Sequence, residues 1–117
     1  YMVGSDAIPV GDIPHPRAWG TFPRIAGRLR RRFGDPLEQV INRMTATPAR
    51  RFALKGRGVI EPGAWADLVV FDAELITDTA TFDDPVSVPV GIKAVVVNGR
   101  VAARDGRVTG VLAGVAV

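Results

Sequence analysis

The sequence contains no cysteine and only one histidine, His15, among its 117 residues. A chain without cysteine forms neither disulfide bonds nor thiolate metal ligands, and this absence fits a reducing compartment. A single histidine does not complete a metal site by itself, because such sites need three or four protein ligands. We therefore expect that this chain binds no metal on its own.

Long apolar segments are absent as well. No run approaches the roughly 20 apolar residues of a membrane span, and the first residues lack the charged start and long apolar core of a signal peptide. The composition, 47% apolar and 23% charged residues, is close to that of ordinary globular domains. These features favour one compact, soluble unit with a cytoplasmic location and no membrane contact.

Neither sign of charge is in large excess, since 15 basic residues face 12 acidic ones for a net charge of +3. The basic residues are nevertheless clustered in the first third of the chain: Arg24, Arg28, Arg30, Arg31 and Arg32. A nucleic-acid surface would need interleaved aromatic side chains or a recognisable reading motif. Only Trp19, Phe22 and Phe33 lie near these arginines, so we expect a solvated or ion-paired helix face and no nucleic-acid partner.

The opening run from Tyr1 to Asp6 predicts a short apolar strand that ends in a turn-rich loop, and α/β barrels place catalytic groups at that position. A complete (β/α)₈ barrel needs roughly 250 residues, whereas this chain has 117. We therefore expect it to be the carboxyl-terminal piece of a larger enzyme. A strand separated from its barrel exposes apolar surface, which favours self-association.

The next segment predicts a loop and then a helix. Residues 7–23 are rich in proline and glycine, which predicts an ordered surface loop without regular structure. Thr21 is a candidate N-cap for a first helix that ends at Gly34, with a buried stripe formed by Ile25, Leu29 and Phe33.

Two more helices are predicted from caps followed by proline. Residues 35–38 resemble a capping box for a helix whose apolar residues include Val40 and Met44. Thr47 and Pro48 predict a short third helix through about Leu54, with Phe52 facing inward.

From Val59 onward the pattern predicts a small antiparallel sheet. Asn98-Gly99 is typical of a two-residue hairpin, and Asp105-Gly106 predicts a second turn. The other predicted segments are an extended piece at 59–60, a turn at 61–63, a strand at 66–72 buried on both faces, a surface loop at 73–91 and a strand at 92–97.

Five segments together carry a family resemblance: GSDAIP at 4–9, HPRAWGTFPR at 15–24, MTATPARRFAL at 44–54, GVIEPGAWADLVVFD at 58–72 and GIKAVVVNGRVAARDGRVTG at 91–110. They resemble the carboxyl-terminal part of the N-acyl-D-amino-acid deacylases, or D-aminoacylases, of the amidohydrolase superfamily. The 15–24 segment is similar to the deacylase branch in particular. The resemblance implies an α+β fragment in which residues 1–57 are the end of the (β/α)₈ barrel and residues 58–117 are a small antiparallel sheet of a composite β domain.

The resemblance also implies a function for Asp6. This residue corresponds to the family's general base, which takes a proton from a zinc-bound water and delivers it to the leaving amine. Zinc is therefore the cofactor implied for the parent enzyme. Its ligands, including a His-x-His pair, have no counterpart in this sequence, so they are expected in an upstream barrel portion. Without the resemblance, a strand-end or capping aspartate is the simpler interpretation of Asp6.

The loop that carries His15, Arg17 and Trp19 lies beside the active-site mouth in the resembled family, so these three are the candidate substrate-binding residues. Arg17 and Arg24 have the chemistry to pair with a substrate carboxylate. The simpler interpretations are an exposed histidine, surface ion pairs, and packing by Trp19 and Phe22.

Two alternatives to the deacylase remain at the sequence level. One is a non-catalytic α+β module that binds or assembles through its basic helix and exposed strand, and the other is a fragment of a different amidohydrolase such as a hydantoinase. Zinc dependence and an upstream His-x-His pair would favour the deacylase acting on a small N-acyl-D-amino acid. Salt-sensitive binding to a polyanion would favour the module.

Overall fold

The computed structural model describes residues 1–8 and 14–116. A single helical run follows Pro16 and has three parts: α1 (Arg17–Arg24), a π-helical turn (Ile25–Leu29) and α2 (Arg30–Phe33). Gly34 ends the run in the left-handed conformation, with φ at 70°, which glycine adopts without a Cβ clash.

The first helix begins five residues earlier than the sequence predicts, and the expectation of a surface loop is wrong for residues 17–23. Pro16 precedes the first turn, where a missing amide proton costs nothing, and His15 Nδ1 accepts the Arg17 N–H at 3.0 Å. Thr21 does not cap a helix, because its hydroxyl donates to the Arg17 carbonyl at 2.8 Å from within the helix. Residues 9–13 of the predicted loop lie outside the described part of the chain.

Two shorter helices follow, α3 (Leu37–Met44) and α4 (Ala46–Arg51). Both were predicted, but no side chain caps either one, so the expected capping box does not form. The prediction that Phe52 faces inward is wrong, since this side chain is 64% exposed. Phe33 is likewise exposed rather than part of a buried stripe. The helical core instead contains small residues and one valine: Ala26, Val40, Ala46 and Ala49.

The second half forms one antiparallel sheet in the order β1-β2-β3-β4. Its strands are Leu68–Phe71, Ile92–Val97, Arg100–Arg104 and Arg107–Val108. The φ angles are 47° at Asn98 and 76° at Gly99, and 47° at Asp105 and 77° at Gly106. Both predicted turns are therefore confirmed, because a two-residue hairpin of this kind needs positive φ at both positions. The predicted extended piece at 59–60 is not a strand.

The segment that joins β1 to β2, residues 72–91, attaches the sheet to the helices. Thr77 and Val90 form an isolated antiparallel bridge, and Ile76 and Ala80 are buried. A Cβ placed on Gly27 would lie 1.8 Å from the Ile76 carbonyl oxygen. The joining segment, predicted as a surface loop, thus packs directly against the helix backbone.

The opening residues form no strand, contrary to the sequence prediction. A strand requires a hydrogen-bonded neighbour, and within the described residues the backbone of this run instead reaches α3, through the Val3 N–H and the Arg43 carbonyl at 3.0 Å. Strand β1 was predicted to be buried on both faces, yet Val69 and Val70 are each more than half exposed. None of the helices in the described part of the chain has both the length and the apolar character needed to cross a membrane.

Candidate active site

Asp6 stands in an unusual backbone conformation. Its φ is +49°, a region that few residues other than glycine adopt, although aspartate tolerates it better than most. Its side chain is 84% exposed. Strained backbone of this kind recurs at functional sites, because it aims a side chain where regular structure would not.

Arg17 is the charged partner of Asp6. Arg17 Nη1 lies 3.3 Å from Asp6 Oδ2. The Nε atom of Arg17 is buried and has no hydrogen-bond partner among the described residues. Exposed ion pairs of this type are weak, so an incoming carboxylate can replace Asp6 on the guanidinium.

His15 lies at the start of α1 and is engaged on two sides. Its Nδ1 accepts the Arg17 backbone N–H, and its ring meets Phe82 edge-on with the centroids 5.0 Å apart and the planes at 77°. The imidazole therefore caps the helix that carries Arg17.

A small pocket of about 160 Å³ lies between the start of α1 and residues 80–82 of the joining segment. Its lining includes His15, Arg17 and Phe82. Asp6 is not part of this lining, but it approaches the pocket through its ion pair with Arg17. Trp19 is not part of this lining, and Phe22 lies on a separate apolar groove against β1.

Asp78 is a charged residue that the sequence analysis missed. Its side chain is only 2% exposed, and its Oδ2 accepts hydrogen bonds from Arg24 Nε at 2.8 Å and Arg24 Nη2 at 2.6 Å. Arg24, considered above for a substrate carboxylate, is therefore already paired. The only signal in the sequence was the spacing of Arg24 and Arg28 on one helix face, which favours a shared acidic partner but does not identify it.

The described residues do not fit a metal site. Within residues 1–8 and 14–116, no three histidine, cysteine, aspartate or glutamate side chains are arranged so that they could hold a metal ion together. Asp6 supplies one carboxylate beside Arg17, and one carboxylate leaves most of a metal's coordination positions unfilled. Any metal beside Asp6 would need its ligands from other polypeptide segments.

Comparison with known proteins identifies the family. The model of the amidohydrolase family matches residues 1–103. The chain is 47% identical to a D-aminoacylase of Alcaligenes xylosoxydans xylosoxydans over 97% of its own length and 24% of that protein's length. It thus spans about a quarter of the relative that it matches.

Solved structures give the same result. A D-aminoacylase crystal structure aligns with a TM-score of 0.93 at 46% identity, over 97% of this chain and 24% of that one. An N-acyl-D-glutamate deacylase from Bordetella bronchiseptica, complexed with zinc and a phosphonate inhibitor, aligns with a TM-score of 0.84 at 49% identity, over 97% of this chain and 25% of that one. This chain belongs to the amidohydrolase family.

Proposed function

We propose that this chain is the carboxyl-terminal part of a zinc-dependent N-acyl-D-amino-acid deacylase and that Asp6 is its general base. Residues 1–57 would complete the catalytic barrel, and residues 58–117 would form the supporting sheet. The complete enzyme would consist of this chain together with its upstream barrel portion. Its zinc would be held by ligands outside this chain.

The observation that carries the proposal is the 3.3 Å approach of Asp6 to Arg17. In an N-acyl amino acid, the amide nitrogen and the carboxylate carbon are bonded to the same Cα, about 2.5 Å from each other. A base that protonates this nitrogen and a cation that binds this carboxylate must therefore be close neighbours. Asp6 and Arg17 meet that requirement.

The mechanism follows from these two side chains. The substrate carboxylate replaces Asp6 on the Arg17 guanidinium, whose planar fork suits a bidentate carboxylate. The freed Asp6 carboxylate accepts a proton from the attacking water as the water oxygen bonds to the acyl carbon. When the carbon–nitrogen bond breaks, Asp6 returns that proton to the leaving amine. The products are the carboxylic acid and the D-amino acid.

The non-catalytic module has less support. Under that alternative, the basic helix would be the binding surface. However, Arg24 pairs with Asp78, and Arg30 and Arg31 donate hydrogen bonds to backbone carbonyls of the joining segment. These arginines hold the protein together instead of facing a partner.

The test is hydrolysis of N-acetyl-D-glutamate and N-acetyl-D-leucine by the complete enzyme with zinc, with the L-enantiomers as matched controls. We expect turnover of at least one D-substrate and much slower turnover of its L-enantiomer. Absence of D-specific turnover would refute the proposed function.

A further inference from the structure

The joining segment contacts α1 on the helix face that carries Arg17. Arg17, Gly20 and Arg24 are spaced i, i+3 and i+7, which places them on one side of the helix. A Cβ added to Gly20 would lie 3.2 Å from the Asp78 Cβ. The absence of a side chain at Gly20 lets Asp78 approach the helix one turn beyond Arg17.

Asp78 holds this face through charge. The Asp78 Oδ2 atom accepts both hydrogen bonds from the Arg24 guanidinium, and Arg28 Nη2 lies 3.7 Å from the same atom. Because the carboxylate is 2% exposed, water does not screen the pairing as it would at the surface. Breaking it leaves a buried charge without compensation.

The same segment makes a second contact at the beginning of the helix. Phe82 packs edge-on against His15, and His15 Nδ1 accepts the Arg17 backbone N–H. Phe82 therefore restrains the residue that caps α1, and Asp78 restrains the helix two turns later. Arg17 lies between these two restraints.

The Asp6–Arg17 pair does not hold itself in place. The Asp6 side chain is 84% exposed and the Arg17 side chain 37%. Exposed ion pairs are weak, so this pair does little to fix the position of either side chain. The orientation of Arg17 toward Asp6 therefore depends on how α1 is held.

We propose that Asp78 is a positioning residue of this active site: through Arg24 and Gly20, and together with the Phe82–His15 contact, it fixes α1 so that Arg17 faces Asp6 and receives the substrate carboxylate. This role rests on the proposed function, because it presumes that Arg17 binds substrate. Asp78 itself contacts neither the substrate nor Asp6. A segment of the sheet region thus controls substrate affinity in the barrel.

The experiment is a double-mutant cycle in the complete enzyme. Asp78→Asn removes the charge with little change of shape, and Asp83→Asn is the matched control because Asp83 is an exposed carboxylate on the same segment. We expect Asp78→Asn to raise KM for an N-acetyl-D-amino acid roughly tenfold, since small displacements of a binding group have effects of this order, with kcat changed much less. In an Arg17→Ala background, Asp78→Asn should leave KM unchanged.

The outcomes separate the positioning role from the proposed function. Two results would overturn the positioning role alone. In the first, Asp78→Asn raises KM equally in the wild-type and Arg17→Ala backgrounds. In the second, Arg17→Ala raises KM but Asp78→Asn does not. Absence of wild-type turnover, or an unchanged KM in Arg17→Ala, would overturn the substrate role on which it depends and the positioning role with it. If Asp78→Asn does not fold, Arg24→Lys keeps the charge but loses the two-fold pairing, and the same dependence on Arg17 is expected.

Discussion

Asp6 and Arg17 are held in different ways, and this difference determines their proposed roles. Asp6 has a left-handed backbone conformation within an irregular run, whereas Arg17 begins a helix that is tied to the sheet region. The proposed base is therefore oriented by local backbone geometry. The proposed substrate-binding cation is oriented by tertiary contacts.

Arg17 allows a prediction that separates binding from catalysis. In the complete enzyme, Arg17→Ala should raise KM for N-acetyl-D-amino acids by roughly ten- to hundredfold, because hydrogen bonds to charged groups contribute about 1.5–3 kcal/mol. The effect should nearly vanish for the corresponding carboxamides, which lack the negative charge. Arg50→Ala is the control, since Arg50 is an exposed arginine on α4. Equal losses for the acid and the amide would contradict a carboxylate-binding role.

The residues of the candidate site were only partly predictable from the sequence. Asp6, His15 and Arg17 lie within one short segment, so a motif comparison can identify all three. The bond between Arg24 and Asp78 joins positions 54 apart, and no local pattern marks Asp78 as a buried partner. His15 was considered for substrate contact. Its hydrogen bond to the Arg17 N–H could not be predicted, because the proline-rich sequence gives no clear signal of where α1 begins.

At the scale of elements, the sheet was predicted well because hairpin turns are local. In Asn98-Gly99 and Asp105-Gly106, all four residues have positive φ. Glycine, asparagine and aspartate are the residue types that favour this conformation in two-residue hairpins. The long helix was predicted less well. Pro23 lies inside α1, and a π turn follows directly at Ile25, which relaxes the regular i to i−4 pairing that proline interrupts.

The contact between Gly27 and Ile76 allows a prediction about stability. Alanine is ordinarily the better helix former, but a Cβ at Gly27 would overlap the Ile76 carbonyl, with 1.8 Å between the atoms. We expect Gly27→Ala to lower the free energy of unfolding by about 1–3 kcal/mol, the usual cost of overpacking. The measurement is thermal denaturation of the complete enzyme. Gly114→Ala is the control because no heavy atom lies within 4 Å of its added Cβ; a stable Gly27→Ala variant would argue against the packing of helix and joining segment described here.

At the scale of the whole molecule, large apolar side chains are exposed on both halves, among them Phe22, Ile60, Val69 and Val70. An apolar groove of about 600 Å³ runs between the helices and β1, and these four residues line it. Single exposed apolar residues are ordinary, but a contiguous surface of this kind marks an interface. In the proposed enzyme, we expect the upstream barrel portion to cover this groove.

This surface predicts how the isolated chain behaves. Expressed alone, it should form oligomers or aggregates and bind the dye ANS, because apolar surface drives association when it has no partner. Light scattering and ANS fluorescence measure both effects, and co-expression with the upstream barrel portion should suppress them. A monodisperse monomer without ANS binding would show that the groove needs no cover.

The most direct test of the central claim is the rate of N-acetyl-D-amino-acid hydrolysis by the complete enzyme with and without the Asp6 carboxylate. Asp6→Asn should lower kcat by roughly 10²- to 10⁴-fold, the usual contribution of a general base, while KM changes little and Asp83→Asn retains wild-type kcat. An Asp6→Asn enzyme with kcat near the wild-type value would contradict the assignment of Asp6 as the base.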